Sequence, residues 1–189
     1  MQMNRKICII GAGPAGVTTS LFLAKQGIES TLIDKATFPR HKPCADNITG
    51  NTIRVLNELD PNFIKNLQLE KQSLQMKGIV AHAVNNHKMK IDFLPLEPGT
   101  EDPSCYAIPR IQLDNELIKK AKENPLIEVI EGFNVVDMQR QTNGNGILIQ
   151  GKTQAIFANL AIVCSGSNAN FIKNLHEIEK EDEHFAVGV

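Results

Sequence analysis

Lys6-Ile7-Cys8-Ile9-Ile10-Gly11-Ala12-Gly13-Pro14-Ala15-Gly16 is the stretch that decides the fold. Its first half is a short, β-branched apolar run that reads as a buried strand, broken by the glycines that follow. Pro14 suits the first turn of a helix, where a missing N–H costs nothing, and Gly27 suits the position just past the end. Pro14 to Gln26 therefore reads as a helix. Ser30 to Ile33 is a second strand, closed by Asp34. Strand, glycine turn, helix, strand demands a right-handed crossover and a parallel pair.

Gly11, Gly13 and Gly16 complete a GxGxxG pattern, weak alone but specific when it follows a strand and opens a helix. The first glycine permits a tight turn and the second lets backbone approach a diphosphate. The third permits close helix–sheet contact, and the free N–H groups at the helix start face the phosphates, so Gly11, Ala12, Gly13, Pro14, Ala15 and Gly16 are the expected cofactor-binding residues. Asp34 lies 18 residues beyond Gly16, where a carboxylate can accept bonds from an adenosine ribose. A glycine-rich turn without a ligand is the bland alternative, and the agreement of strand, spacing, helix and acid argues against it. The acid also disfavours a 2′-phosphate, so NADP fits poorly while FAD and NAD both remain.

Outward from this unit, Thr37 to Asp46 is rich in proline and charge and reads as a loop. A helix follows, with Ile48, Thr52, Val55, Leu56 and Leu59 on one face and Asp60-Pro61 as its stop. Lys77 to Val84 and Lys88 to Leu94 read as a hairpin about Asn85-Asn86. Leu94 to Pro109 reads as an irregular connection. A third helix buries Leu113, Leu117, Ile118 and Ala121 and stops at Asn124-Pro125. Short strands follow at Ile127 to Ile130, Phe133 to Met138, Ile147 to Gln150, Gln154 to Phe157 and Leu160 to Cys164, with a turn at Asn143-Gly144-Asn145-Gly146. They read as a small β-meander returning to the parallel sheet. The fold class is α/β, a Rossmann-like βαβ domain.

The 189 residues suffice for one sizeable α/β domain. A net charge of −1 gives no basic face for nucleic acid. No apolar run approaches the roughly 20 residues that cross a bilayer, and the N-terminus leads straight into a strand, which predicts no secretory signal. Cys8, Cys44, Cys105 and Cys164 show no CxxC spacing, so neither a metal site nor a disulfide framework is expected, and the reducing cytoplasm is the expected compartment. His41, His82, His87, His176 and His184 lack metal-ligand spacing. Glu177 to Glu183 reads as a solvated acidic stretch.

Three further segments carry a resemblance. Asp34-Lys35-Ala36-Thr37-Phe38-Pro39-Arg40-His41-Lys42-Pro43-Cys44-Ala45 closely resembles the segment after the second strand in the geranylgeranyl reductase family. That family belongs with the aromatic-hydroxylase-type FAD monooxygenases and flavin halogenases. Tyr106-Ala107-Ile108-Pro109-Arg110-Ile111-Gln112-Leu113-Asp114-Asn115-Glu116-Leu117 looks like the family's "R…D..L" segment. Leu160-Ala161-Ile162-Val163-Cys164-Ser165-Gly166-Ser167 stands where the family has a strand ending in "DG" or "TG". The resemblance implies FAD as cofactor, with NAD(P)H as a candidate electron donor. It implies that Asp34, with Lys35 beside it, holds the ribose, and that Arg110 lies near the pyrophosphate or ribityl chain. Val135 would offer backbone bonds to adenine. Arg40 and the stretch Lys42 to Ala45, including Cys44, would run along the cofactor. Ser165 and Gly166 would close the site. The plainer alternatives are that Arg40 and Lys42 are solvated charges, that Arg110 caps a strand–helix junction, and that Cys44 shapes a pocket without doing chemistry.

Ala45 replaces the family's glycine after the cysteine. Ser165 replaces the acid of the "DG" motif, which weakens a hydroxylase reading more than a reductase one. The family's downstream Gly-Asp motif is not found, so residues 1–168 are expected to form the FAD-binding domain. Within it, 74–109 would contribute to the substrate side. Residues 169–189 would begin a truncated substrate domain that is otherwise missing. The activity implied is reduction of C=C bonds in a prenyl or other hydrophobic small molecule by reduced flavin. Peripheral membrane contact would follow if that substrate is a prenyl lipid. The competing expectations are an FAD monooxygenase or halogenase, and a non-catalytic nucleotide-binding remnant.

Overall fold

The structure, a computed structural model, describes residues 2–70, 73–100, 102–141 and 146–166. The elements in chain order are β1 (Gln2–Ile10), α1 (Pro14–Lys25), β2 (Ser30–Ile33), β3 (Asn47–Thr49), α2 (Gly50–Leu59), α3 (Phe63–Leu69), β4 (Leu74–Gln75) and β5 (Gly78–His82). They continue with β6 (Lys88–Asp92), β7 (Cys105–Ala107), α4 (Arg110–Glu123), β8 (Ile127–Ile130), β9 (Val135–Arg140), β10 (Ile147–Gly151) and β11 (Ala155–Val163). They fall into two compact units, Met1–Phe38 with Ile118–Val189, and Pro39–Leu117.

The first unit is built on a six-stranded sheet of order β8-β2-β1-β11-β10-β9. β1 runs parallel to both β2 and β11, and β2 parallel to β8, while β9, β10 and β11 are antiparallel neighbours. The expected parallel sheet with a returning meander is thus what forms. Cys8, Ile9, Ile10, Leu32 and Ile33 are buried, the near-continuous apolar reading of strands covered on both faces. α1 buries Gly16, Val17, Ser20 and Ala24, one face of the helix, and packs on β1 and β2. Met138, Ile149, Ile156 and Phe133 complete the core under the meander.

One expected boundary fails here. The separate strands Gln154 to Phe157 and Leu160 to Cys164 are a single strand, β11. Ala158, where the break was expected, pairs with Arg5 of β1 on one side and Ile147 of β10 on the other. With neighbours on both edges the backbone has every reason to stay extended.

The second unit holds a three-stranded sheet, β3-β7-β4, and the separate hairpin β5–β6. The hairpin turns where expected, with Asn86 in the left-handed region at φ 62. Three expectations need correction. Ile48 lies in β3, paired with Tyr106, instead of on a helix. Val55 is 40% exposed, because α2 starts only at Gly50 and its buried face is Ile53 and Leu56. The irregular stretch Leu94 to Pro109 contains β7, which two strands flank. The short helix α3 was not anticipated. Seven residues are too few to hold a helix alone, and what holds it is burial of Phe63, Ile64 and Leu67, each contributing about 1.5–3 kcal/mol.

α4 has the expected limits, and Leu113, Leu117, Ile118 and Ala121 are all buried. Asn143, Gly144, Asn145, Ser167, the distal histidines, the acidic stretch and the expected start of a substrate domain lie outside the described residues. Among the described residues no helix is long and apolar enough to cross a membrane, and none group as a metal site.

Candidate functional site

In the first unit the glycine turn is built by steric demand from the chain itself. Gly11 has φ +104, and a Cβ there would meet the Cys164 carbonyl oxygen at 2.6 Å and the Ser165 Cα at 3.0 Å. A Cβ on Gly16 would lie 1.8 Å from the Gly11 carbonyl oxygen, so no other residue fits. Gly13 differs: its φ of −73 is open to any L-residue. Backbone torsion does not require glycine at this position, and a missing side chain leaves the helix start open to close approach by a ligand.

The helix that follows is open at its start. Gly13 is the N-cap residue, with no side-chain cap and no acid in the first turn. The first intrahelical bond runs from the Val17 N–H to the Gly13 carbonyl at 3.0 Å. The N–H groups of Gly13, Ala15 and Gly16 therefore have no intrahelical partner, and the positive end of the helix dipole coincides with them. Gly13 and Pro14 are half-buried and Ala15 is exposed, so this end is reachable. It is a ready anion site.

Asp34 faces the same turn. Its Oδ2 accepts from the Ala12 N–H at 2.7 Å, and its Oδ1 accepts from the Ala36 N–H at 2.8 Å. Each carboxylate oxygen keeps a lone pair beyond these bonds. The Asp34 carbonyl accepts from the Phe133 N–H at 2.8 Å, which ties Phe133-Asn134-Val135 to the acid. Val135 opens β9 opposite Gly151, where the register shifts. On the other flank, the Cys164 N–H donates to the Ile10 carbonyl at 2.8 Å. The next residue, Ser165, carries a buried Oγ with no hydrogen-bond partner, and Gly166 has φ 72. Thus Gly11 to Gly16, Asp34, Lys35, Val135, Ser165 and Gly166 are gathered in one unit. The open helix start, the spare carboxylate lone pairs and the orphaned hydroxyl fit a dinucleotide with a diphosphate.

The second unit gathers Arg40, Cys44, Ala45 and Arg110. Asp114, 1% exposed, accepts from Arg110 Nε at 2.8 Å and Nη2 at 2.9 Å. Arg40 Nη1 meets the same carboxylate at 3.2 Å. Bonding to Asp114 raises the Arg110 guanidinium above its ordinary value. Asp46, in the left-handed region at φ 58, accepts from the Arg110 N–H through Oδ1 at 3.1 Å and from the Ile108 N–H through its carbonyl at 2.7 Å. Cys44 is exposed, and its thiol is lowered from 9.0, chiefly by the Asp46 backbone N–H and also by a bond from Arg110. Sequence reasoning passed over Asp46 and Asp114 as working residues. Asp114 had a local signal, since it stands four residues after Arg110 on one helix face. Asp46 had none, because its bonds reach across 64 positions.

A family model described as an FAD binding domain matches residues 4–188. The chain belongs to the FAD-binding domain family. Its cofactor is FAD, the dinucleotide whose ADP half the first unit suits. Relatives include the menaquinone reductase of Mycobacterium tuberculosis, 30% identical over 118 residues, 62% of this chain and 26% of that protein. The tryptophan 2-halogenase of Chondromyces crocatus is 53% identical over 135 residues, 71% of this chain and 24% of that protein. This FAD-binding chain thus spans about a quarter of the length of these relatives. A geranylgeranyl bacteriochlorophyll reductase-like protein from Thermoplasma acidophilum shares the fold, with a TM-score of 0.69 at 17% identity over 90% of this chain and 41% of the other. So does a p-nitrophenol 4-monooxygenase from Pseudomonas putida, with a TM-score of 0.74 at 16% identity over 91% and 44%.

Two outcomes follow. Gly13→Val places a branched side chain at the open helix start, and Asp34→Ala removes an ionised acceptor whose bonds are each worth about 1.5–3 kcal/mol. Each variant is expected to weaken FAD binding at least about tenfold in a flavin-fluorescence titration; unchanged affinity in both contradicts the site. Near neutral pH, iodoacetamide should label Cys44 ahead of Cys105, whose thiol burial raises, and of Cys8, pushed up to about 12. Equal labelling rates, read by peptide mass, contradict that ordering.

Proposed function

We propose that this FAD-binding domain serves an oxidoreductase that reduces C=C bonds in a prenyl or other hydrophobic small molecule. The observation that carries this reading is Ser165. Where the resembling hydroxylases have an acid linked to FAD and NADPH, this chain has a neutral hydroxyl, buried and without a partner. The resemblance of the segments Asp34 to Ala45 and Tyr106 to Leu117 to geranylgeranyl reductases supports it, as does the kinship to proteins named menaquinone reductase.

The residues proposed to hold FAD are Gly11 to Gly16 at the diphosphate, Asp34 with Lys35 at the ribose, and Val135 through its backbone at the adenine. Ser165 and Gly166 close that site. Arg40, Cys44, Ala45 and Arg110 are assigned to the cofactor by the resemblance alone. Reduced flavin, when bound, supplies hydride, and the protein's share is orientation and exclusion of water. NAD(P)H is the proposed reductant, and a prenyl-lipid substrate would bring the protein to a membrane surface.

One observation favours a second reading, an FAD halogenase or monooxygenase: the 53% identity to a tryptophan 2-halogenase. The two readings differ in their need for oxygen. Under argon, with chemically reduced FAD and a geranylgeranyl lipid, the reductase reading expects a saturated product. Product that appears only with oxygen, in proportion to the oxygen consumed, overturns it in favour of the second.

A further inference from the structure

In the first unit, the turn that follows Asp34 is laid along the stretch Ile130 to Phe133. The Asp34 N–H donates to the Ile130 carbonyl at 3.1 Å, and the Phe133 N–H donates to the Asp34 carbonyl at 2.8 Å. The Gly132 N–H donates to the Ala36 carbonyl at 3.3 Å. A fourth bond completes the row, and there the backbone gives way to a side chain. Gly132 turns the chain at φ +75, and Glu131 Oε1 accepts from the Phe38 N–H at 3.1 Å. The same oxygen accepts from Lys122 Nζ, in the last turn of α4, at 2.9 Å.

Stability alone gives this carboxylate little to do. Its pair with Lys122 is 42% exposed on the lysine side and 21% on its own, and ion pairs open to solvent contribute little. What the bond to Phe38 achieves is direction. The near end of the turn is the Asp34 carboxylate, whose Oδ1 accepts from the Ala36 N–H at 2.8 Å. The far end is Phe38, and Lys35 and Thr37 between them are exposed. Releasing Phe38 lets Ala36 and Thr37 swing about the Gly132 bond, the longest in the row, and the carboxylate turns with the amide it accepts from. A hydrogen bond weakens steeply as its angle departs from linear, so a carboxylate that turns loses whatever hydroxyl it was meant to meet. A turn tied at both ends has given up its conformational entropy before any ligand arrives.

We propose that Glu131 is a positioning residue for the adenosine ribose. By fixing Phe38 it holds the Ala36 amide against Asp34 Oδ1, so that the remaining lone pairs of the carboxylate face the sugar before FAD binds. The inference rests on Asp34 as the ribose acceptor and adds to it a residue that acts through Asp34.

The test is the preference for ADP over 2′-deoxy-ADP, taken as the ratio of their Kd values by titration calorimetry on the full chain. Wild type is expected to prefer ADP about tenfold, the loss of one bond to an ionised acceptor. Glu131→Ala is expected to lower that preference to about threefold or less. Glu131→Gln, whose amide oxygen still accepts from the Phe38 N–H, is expected to keep it. A residue of merely structural value would weaken both nucleotides alike and leave the ratio where it was. Should Glu131→Ala fail to fold, as judged by circular dichroism, Glu131→Ser, whose hydroxyl is too short to reach Phe38, carries the same measurement with the same expectation. A preference unchanged in the folded variant, or lost equally in Glu131→Gln, overturns this assignment alone. Wild-type protein that binds both nucleotides equally overturns Asp34 as the ribose acceptor and this assignment together.

Discussion

A single carboxylate at the end of the second strand holds the glycine turn in place. Asp34 accepts from Ala12 on one side and Ala36 on the other, and its carbonyl accepts from Phe133. The Gly11 N–H meanwhile donates to the Ile33 carbonyl at 2.8 Å. The start of α1, the end of β2 and the approach to β9 are therefore registered against one another by bonds to a single short stretch. A cradle for a diphosphate needs its donors fixed before the anion arrives, because donors that must reorganise give back what they gain. Here the chain fixes them with its own backbone.

The three glycines show how the site divides its demands between fold and ligand. Gly11 and Gly16 cannot be otherwise, given the Cys164 and Gly11 carbonyls pressed against them. Gly13 could be another residue as far as torsion is concerned, and its lack of a side chain leaves room for what comes from outside. In the second unit, the Arg110 guanidinium is held by a side chain, the buried carboxylate of Asp114.

The first unit was legible because its signals are local. Strand, turn, helix and acid lie within about thirty residues, the span of one βαβ unit, and each obeys a period or capping rule. α4 was equally readable, since Leu113, Leu117, Ile118 and Ala121 declare one face. What escaped was set by partners distant in sequence. β7 is a strand because β3 and β4 flank it, and Ile48 is in a strand because Tyr106 lies opposite. α3 is a helix because Phe63, Ile64 and Leu67 find a core. The β11 break vanished because β1 and β10 supply partners on both sides. The same division governs function. A dinucleotide was readable from contiguous residues, with FAD and NAD separated only by the resemblance, whereas the substrate depends on surfaces that no short motif encodes.

The central claim is that the first unit grips the ADP half of the cofactor through main-chain amides and one acid. Competition between fragments of FAD addresses it most directly. The account predicts that ADP displaces bound FAD from the protein while FMN, which lacks the adenosine and its share of the diphosphate, does not. Displacement by FMN with no effect of ADP would contradict it.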